Sequence, residues 1–319
     1  MRICVVGSGV IGSIYGYLFQ QAGHDVTHLV RSLESSAARD GVRMRLLDGR
    51  APDAPEAEIH YSFRATETLE PRDGYDLILA SVRHYQVPDL LPVLARGAGD
   101  ADVLFFNGLW TDLDPVDHWL PRSRYLWGFP VAGGGFRDGL LDAALLGDVR
   151  LGEVAEKVDG RLERVSGLFT GCGLEVDVRD DMLAWLWVHF ATEAGIIGAA
   201  IKTGDPDLFL DSAEHLEEGV LAVRDALAVV RARGVDIESI PEAQLFLARA
   251  DVAAAQIRVL YQVDRAARKI FVRHTGREEL ARIYLDVIAT GDQLGVAMPV
   301  LRALQPWVVA YGVPEPVAV

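Results

Sequence analysis

The stretch WLWVHFATEAGIIGAAI, Trp185 to Ile201, is almost entirely apolar, small or aromatic, yet it carries His189 and Glu193 one helical turn apart. Burying two ionisable groups there is costly unless each finds a partner. An imidazolium can stabilise a developing alkoxide and hand it a proton. A carboxylate on the same helix stripe favours the charged ring and orients it. On an exposed helix such a pair is worth only tenths of a kcal/mol; the apolar flanks set this one apart from an ordinary surface contact. Metal binding would need a third ligand, and no spacing in the chain nominates one.

The second constellation is VVGSGVIGSIYG, with Gly7, Gly9 and Gly12 in G-x-G-x-x-G spacing. The apolar run RICVV (2–6) precedes it, and 9–22 reads as an amphipathic helix. A second strand, DVTHLV (25–30), then ends about twenty residues on. In that context Gly7 permits the tight turn and Gly9 the approach of a pyrophosphate. Gly12 allows close helix–strand packing. Ser8, Val10 and Ile11 supply the remaining backbone of the loop and first helical turn, whose N–H groups face the phosphates. An acid for the ribose hydroxyls is expected at the end of the second strand. The chain has Arg31 and Ser32 there, a pairing suited to a 2′-phosphate, so the expected cofactor is NADPH (NADP+). His24 and His28 read as structural.

These residues need a frame. Further strands are expected at DLILASV (76–82), DVLFF (102–106) and YLWGF (125–129), separated by helix-length spacers that imply βαβ units and a parallel sheet. The segments SSAARDGVRMRLLDGR (35–50) and APDAPEAEIHYS (51–62) read as a small hairpin excursion. AGGGF (132–136) reads as a backbone turn, and Trp185 and Trp187 as core or cleft wall. After 182 the pattern is helical, with breaks at 202–207, 232–241 and 274–276. The fold class expected is α/β: an N-terminal Rossmann-type doubly wound parallel sheet, residues 1–176, and an all-helical C-terminal domain, 177–319, for substrate and dimerisation. Asn107 on a strand-end turn and Arg83 at a strand's C-terminal end lie where ligands bind in open α/β sheets.

A net charge of −15, with no basic run, argues against a nucleic-acid partner. Two cysteines make no disulfide framework, and 185–201 is broken by ionisable residues, so the expectation is a cytoplasmic protein that spans no membrane.

The chain resembles the ketopantoate reductase (2-dehydropantoate 2-reductase) family. The resemblance rests on GSGVIGSIYGYLFQQAGHDVTHLVR, SVRHYQV (81–87), FNGLW (106–110), GFRDGLLDAALLGDVRLGE (135–153) and GVAMP (295–299). It implies an NADPH-dependent reductase of a small-molecule carbonyl, with Arg83 where the family carries lysine and Asn107 in its Asn-Gly turn. The family's catalytic helix reads W-x-K-x-x-x-N-x-x-x-N; here Trp187 is followed by His189, Glu193 and Ile197. The resemblance implies His189 in place of the lysine acid and Glu193 beside it. Counting back from Pro299, the family's substrate-binding glutamate falls on Glu279, with Glu278 as the alternative register. Its serine and aspartate become Ala267 and Ala281.

Those changes point away from ketopantoate itself, towards a less polar ketone or 2-oxo acid. A second reading is an imine or iminium reductase, because a cation would welcome Glu193. A third is an NADPH-binding sensor without catalysis. The helical half offers a face for a homodimer.

Overall fold

Short runs rich in Val, Leu, Ile and Phe become the strands of a 10-stranded sheet. They are β1 (Arg2–Val6), β2 (Asp25–Leu29), β3 (Val42–Asp48), β4 (Ala57–Tyr61), β5 (Arg64–Thr66), β6 (Leu77–Ala80), β7 (Asp102–Phe106), β8 (Tyr125–Arg137), β9 (Leu140–Gly152) and β10 (Glu175–Val178). The computed structural model describes residues 1–312 apart from 52, 54, 155, 156 and 159; Pro52 and Ala54, in the expected excursion, lie outside the described residues.

Six strands run parallel in the order β5-β2-β1-β6-β7-β8. The order reverses direction between β1 and β6, the switch point at which open α/β sheets bind ligands. The expected Rossmann-type parallel sheet is therefore present, but extended into a mixed sheet. β8 turns back into β9 as an antiparallel hairpin, β3 adds parallel to β9, and β4 pairs antiparallel with β3. The expected excursion is thus a hairpin, but one built into the main sheet through β3.

AGGGF is not a turn. It lies inside β8, and its glycines admit the segment 269–275: a Cβ on Gly133 would sit 2.8 Å from Cγ2 of Ile270, and one on Gly135 would strike Thr275 and the Arg273 carbonyl. The same segment is tied down by charge. Lys269 Nζ lies 2.7 Å from Asp142 and 3.0 Å from Glu56, and Arg273 Nε lies 3.1 Å from Asp142.

Two compact units result, Met1–Met182 with Lys269–Thr275, and Leu183–Arg268 with Gly276–Val319. The boundary expected at 176 falls within β10, where Val176 pairs with Val149 of β9, and the first unit runs on to Met182.

The helix Val10–Gln21 lies against the first unit's sheet through Ile14, Tyr15, Leu18 and Phe19; Tyr15 meets Phe106 edge-on at 4.7 Å. In the second unit, helices run from Met182 to Thr203 and from Ala213 to Ala232, and their breaks follow the sequence signals. Asp205 caps the helix Pro206–Asp211; the helix Arg265–Arg273, whose residues from Lys269 on belong to the first unit, is separated from Arg277–Leu294 at 274–276. Gly195 and Gly198 let the helix Met182–Thr203 approach Val223 and Tyr284 closely. That helix is long and apolar enough to cross a membrane by length and composition, but 67% of its apolar window is buried inside the protein.

Candidate active site

The glycine loop leaves β1 at the switch point. Gly7 has φ +91°, a left-handed conformation that favours glycine, and its N–H donates to the Leu29 carbonyl at 2.8 Å. A Cβ on Gly12 would lie 2.7 Å from the Gly7 carbonyl oxygen, 2.9 Å from Ser81 Oγ and 3.2 Å from Val5 Cγ1. A Cβ on Gly9, by contrast, meets nothing within 4 Å, so the loop presents open space on that side. Gly9 is the N-cap of the helix and has no side-chain cap. Ser13 N–H makes the first helical bond, to Gly9, leaving the N–H groups of Val10 and Ile11 without helical acceptors. Ser8 is held through its carbonyl, which accepts from Ser13 Oγ at 3.2 Å, and Ser81 Oγ donates to Val6 at 2.9 Å. This cradle fits a pyrophosphate.

Beyond β2, Arg31 is exposed and makes no ion pair among the described residues. Ser32 Oγ accepts from Glu34 N–H at 3.1 Å, and the Glu67 carboxylate accepts from Leu33 N–H at 2.8 Å, so the loop is shaped by its own backbone while the guanidinium stays uncommitted.

The floor of the loop is a residue that the sequence reading placed in a merely structural role. His28 of β2 is fully buried, with Nδ1 2.7 Å from the Gly7 carbonyl oxygen and Nε2 2.9 Å from the Tyr61 hydroxyl. Burial pushes its imidazolium down to about 4, below the ordinary value near 6.5 that the unfolded chain would show. The folded state therefore keeps the ring neutral while the unfolded state takes up a proton first. The stability this contributes is fully present above pH ~6.5 and is lost as pH falls towards ~4, roughly 3 kcal/mol in all. Urea midpoints measured from pH 7 to pH 4 should fall by correspondingly less in His28→Leu than in wild type.

Asn107 follows β7 at the same sheet edge and is buried. Its Nδ2 donates to the Val82 carbonyl at 2.7 Å, and its own carbonyl accepts from Trp127 Nε1 at 2.9 Å. Because Val82 can only accept, the amide orientation is fixed and Oδ1 is the atom left over. Oδ1 is buried without a donor, a state that costs about 1–3 kcal/mol until a ligand's N–H or O–H supplies one. Arg83 is exposed, and its Nη1 donates to the Tyr85 hydroxyl at 2.9 Å.

In the second unit, the helix Met182–Thr203 is buried from Ala184 to Ala199 except at His189, Thr192, Glu193 and Ile196, which share one stripe. His189 Nε2 lies 3.4 Å from Glu193 Oε1, with the side chains 30% and 32% exposed. Trp185 stacks flat against the imidazole at 4.9 Å, a wall that restricts its rotation. Trp187 faces elsewhere, under the Arg233 guanidinium at 3.3 Å from its ring centroid. Ile197 is buried, so the accessible position one turn beyond Glu193 is Ile196.

Tyr261, on the helix Ala250–Val263, was not visible as a site residue. Burial, with the Glu193 and Asp264 carboxylates adding to it, pushes its hydroxyl up to about 12, so it stands near Glu193 as a neutral phenol. Only the electrostatic influence of Glu193, on a helix far away in sequence, reveals it.

Of the two candidate glutamates, Glu278 is exposed and accepts from Arg282 Nε at 3.0 Å, whereas Glu279 is half-buried. Ala281 is buried against Gly312 and is a packing position. The loss of a polar side chain there therefore says nothing about substrate. Ala267 lies in the first turn of its helix, where its N–H donates to the Asp264 cap at 2.9 Å.

Residues 3–156 match the family model described as ketopantoate reductase PanE/ApbA. The 2-dehydropantoate 2-reductase of Archaeoglobus fulgidus is 23% identical over 310 residues, covering 95% of each chain. Among solved structures, the 2-dehydropantoate 2-reductase of Geobacter metallireducens aligns with a TM-score of 0.73 at 18% identity, over 97% of this chain and 99% of that one. A ternary structure of D-mandelate dehydrogenase with NADH and anilino(oxo)acetate also aligns at 0.73, with 16% identity over 98% of both chains. The glycine cradle at the switch point and Asn107 at the adjoining strand end both lie within residues 3–156, the part of the chain that matches the ketopantoate reductase family model, and 95% of the chain is similar to a 2-dehydropantoate 2-reductase.

Proposed function

We propose that the protein is an NADPH-dependent reductase that converts a carbonyl of a small 2-oxo acid or related ketone, other than ketopantoate, to a hydroxyl. The observation that carries the reading is the glycine loop, closed at Gly12 and open at Gly9, with the uncommitted Arg31 beyond it. Bound NADPH supplies the hydride. Arg31 would hold the 2′-phosphate, its charge favouring NADPH over NADH. Arg31→Ala is expected to weaken NADPH binding about 10- to 100-fold, the worth of one charge-assisted hydrogen bond, while leaving NADH unchanged. Titration of both nucleotides by fluorescence checks this.

His189 would act as the proton donor to a substrate oxygen. Glu193 Oε1 lies 3.4 Å from His189 Nε2 and orients the ring, and Trp185 stacks flat against it. Tyr261 adds a neutral hydroxyl donor near Glu193. Asn107 Oδ1 takes the donor that its buried position lacks, a carboxamide or a hydroxyl of the bound molecules.

The substrate differs from ketopantoate because a carboxylate, Glu193, stands where the family has a neutral amide. That carboxylate repels a compact polar 2-oxo acid unless His189 neutralises it. A fold of this kind does hold an aryl-substituted oxo acid in D-mandelate dehydrogenase, an analogy of fold alone. The partly exposed Glu193 equally suits a cationic iminium, which makes imine reduction the second reading.

NADPH oxidation against ketopantoate, aryl 2-oxo acids, simple ketones and cyclic imines separates them. Ketopantoate turnover at the efficiency of its dedicated reductases ends the changed-substrate reading. Turnover of imines alone selects the second. Tight NADPH binding without turnover of any of them leaves a sensor. We place the enzyme in the cytoplasm, consistent with two buried free thiols, Cys4 and Cys172.

A further inference from the structure

We propose that His28 is a positioning residue for dinucleotide binding: its Nδ1–H holds the Gly7 carbonyl inward and so turns the Ser8 N–H outward, towards the pyrophosphate. The inference rests on the dinucleotide reading above.

The geometry runs through one peptide plane. The Gly7 carbonyl can only accept, so the ring nitrogen 2.7 Å from it carries the proton. Nε2 is then the acceptor, and the Tyr61 hydroxyl 2.9 Å away donates to it. Tyr61 thereby fixes the tautomer. Burial keeps the ring neutral, so it carries one N–H and that N–H is spent on Gly7.

No peptide bond in the described chain is cis, and in a trans peptide the N–H points opposite to the carbonyl. A carbonyl drawn down to His28 therefore sends the Ser8 N–H to the open side, where Gly9 leaves free space. At φ +91° Gly7 has little steric restraint of its own, and without the imidazole this peptide is free to rotate.

The pair is also built into the helix that follows. A Cβ on Gly16 would lie 2.6 Å from His28 Nε2 and 2.6 Å from the Tyr61 hydroxyl, so the helix carries glycine where the imidazole and phenol must pass. Phe63 closes the other side, with ring centroids 4.0 Å apart.

The test compares His28→Asn, His28→Gln and His28→Leu with wild type. Asparagine places an amide nitrogen where Nδ1 stood and glutamine one where Nε2 stood. Leucine places none. Kd is measured for NADP+ and for adenosine 2′-monophosphate, which reaches the Arg31 loop but has no pyrophosphate. Leucine and glutamine are expected to weaken NADP+ at least about tenfold and asparagine less than about threefold, with adenosine 2′-monophosphate unchanged in all three. In wild type, 15N shifts should show His28 protonated at Nδ1.

Three results overturn the inference: NADP+ affinity kept by folded His28→Leu or His28→Gln, a loss in His28→Asn as large as in His28→Leu, or a parallel loss of adenosine 2′-monophosphate. An Nε2-protonated ring in wild type overturns it too, and that measurement decides even if the variants do not fold. Wild type that binds neither NADP+ nor NAD+ removes the dinucleotide reading and this inference together. Normal wild-type binding with no discrimination among variants removes this inference alone.

Discussion

Gly9→Ala is expected to leave thermal stability unchanged and to weaken dinucleotide binding at least about tenfold, whereas Gly12→Ala should damage both. The two glycines sit three residues apart in one motif, but their surroundings are opposite. Gly9 has φ −75° and ψ −167°, which alanine adopts freely, and nothing lies within 4 Å of the methyl it would gain. That methyl can collide only with a ligand. A methyl on Gly12 meets the Gly7 carbonyl at 2.7 Å, Ser81 Oγ at 2.9 Å and Val5 at 3.2 Å, so the helix must lift from β1 or the loop must refold. Overpacking of this kind costs about 1–3 kcal/mol. Calorimetric unfolding with and without NADPH separates the two effects. A Gly9→Ala protein that binds NADPH as tightly as wild type would show that the open side of the loop is not where the pyrophosphate lies.

His189→Ala should lower kcat by about 10²–10⁴ with NADPH affinity preserved, the usual worth of a positioned proton donor. Its Trp185 stacking contact is lost too, so folding is checked by circular dichroism alongside. His189→Lys supplies an ammonium at the position where the family's lysine stands, and is expected to recover part of the lost rate. Glu193→Gln keeps the shape of the stripe but removes the carboxylate that orients the ring, and is expected to lower kcat less than His189→Ala does. Wild-type turnover by the alanine variant would remove His189 from the chemistry and turn attention to the Tyr261 phenol.

The parts of this protein that were legible in the sequence are those whose physics is local. Strand, turn and helix around Gly7, Gly9 and Gly12 are consecutive, and each glycine's role follows from spacing. The His189–Glu193 pair follows from helical periodicity. What failed to show was contact over long separations. Three glycines in AGGGF look like a turn because glycine weakens a strand, and nothing nearby reveals that Ile270 and Thr275 pack on them. Arg161 is fully buried, donating from Nε to Glu153 at 3.0 Å and from Nη1 to the Ser123 carbonyl at 2.7 Å, and no local pattern marks it. Tyr261 and His28 were silent for the same reason: their partners Glu193 and Tyr61 lie on other elements. Ala281 misled in the opposite direction, since a position read for its lost polarity serves packing.

The segment Lys269–Thr275 also sets a limit on how this protein can be divided or recombined. It belongs with the first unit although it is encoded deep within the second. A cut after Met182 therefore does not release a nucleotide-binding module. It uncovers Gly133 and Gly135 and strands the Asp142 carboxylate without Lys269 and Arg273. A chimera that exchanged the helical half at that point would import a foreign cover for the glycine strand. Crossovers between relatives should survive only where strand and cover travel together, so the two are expected to diversify as one inherited block.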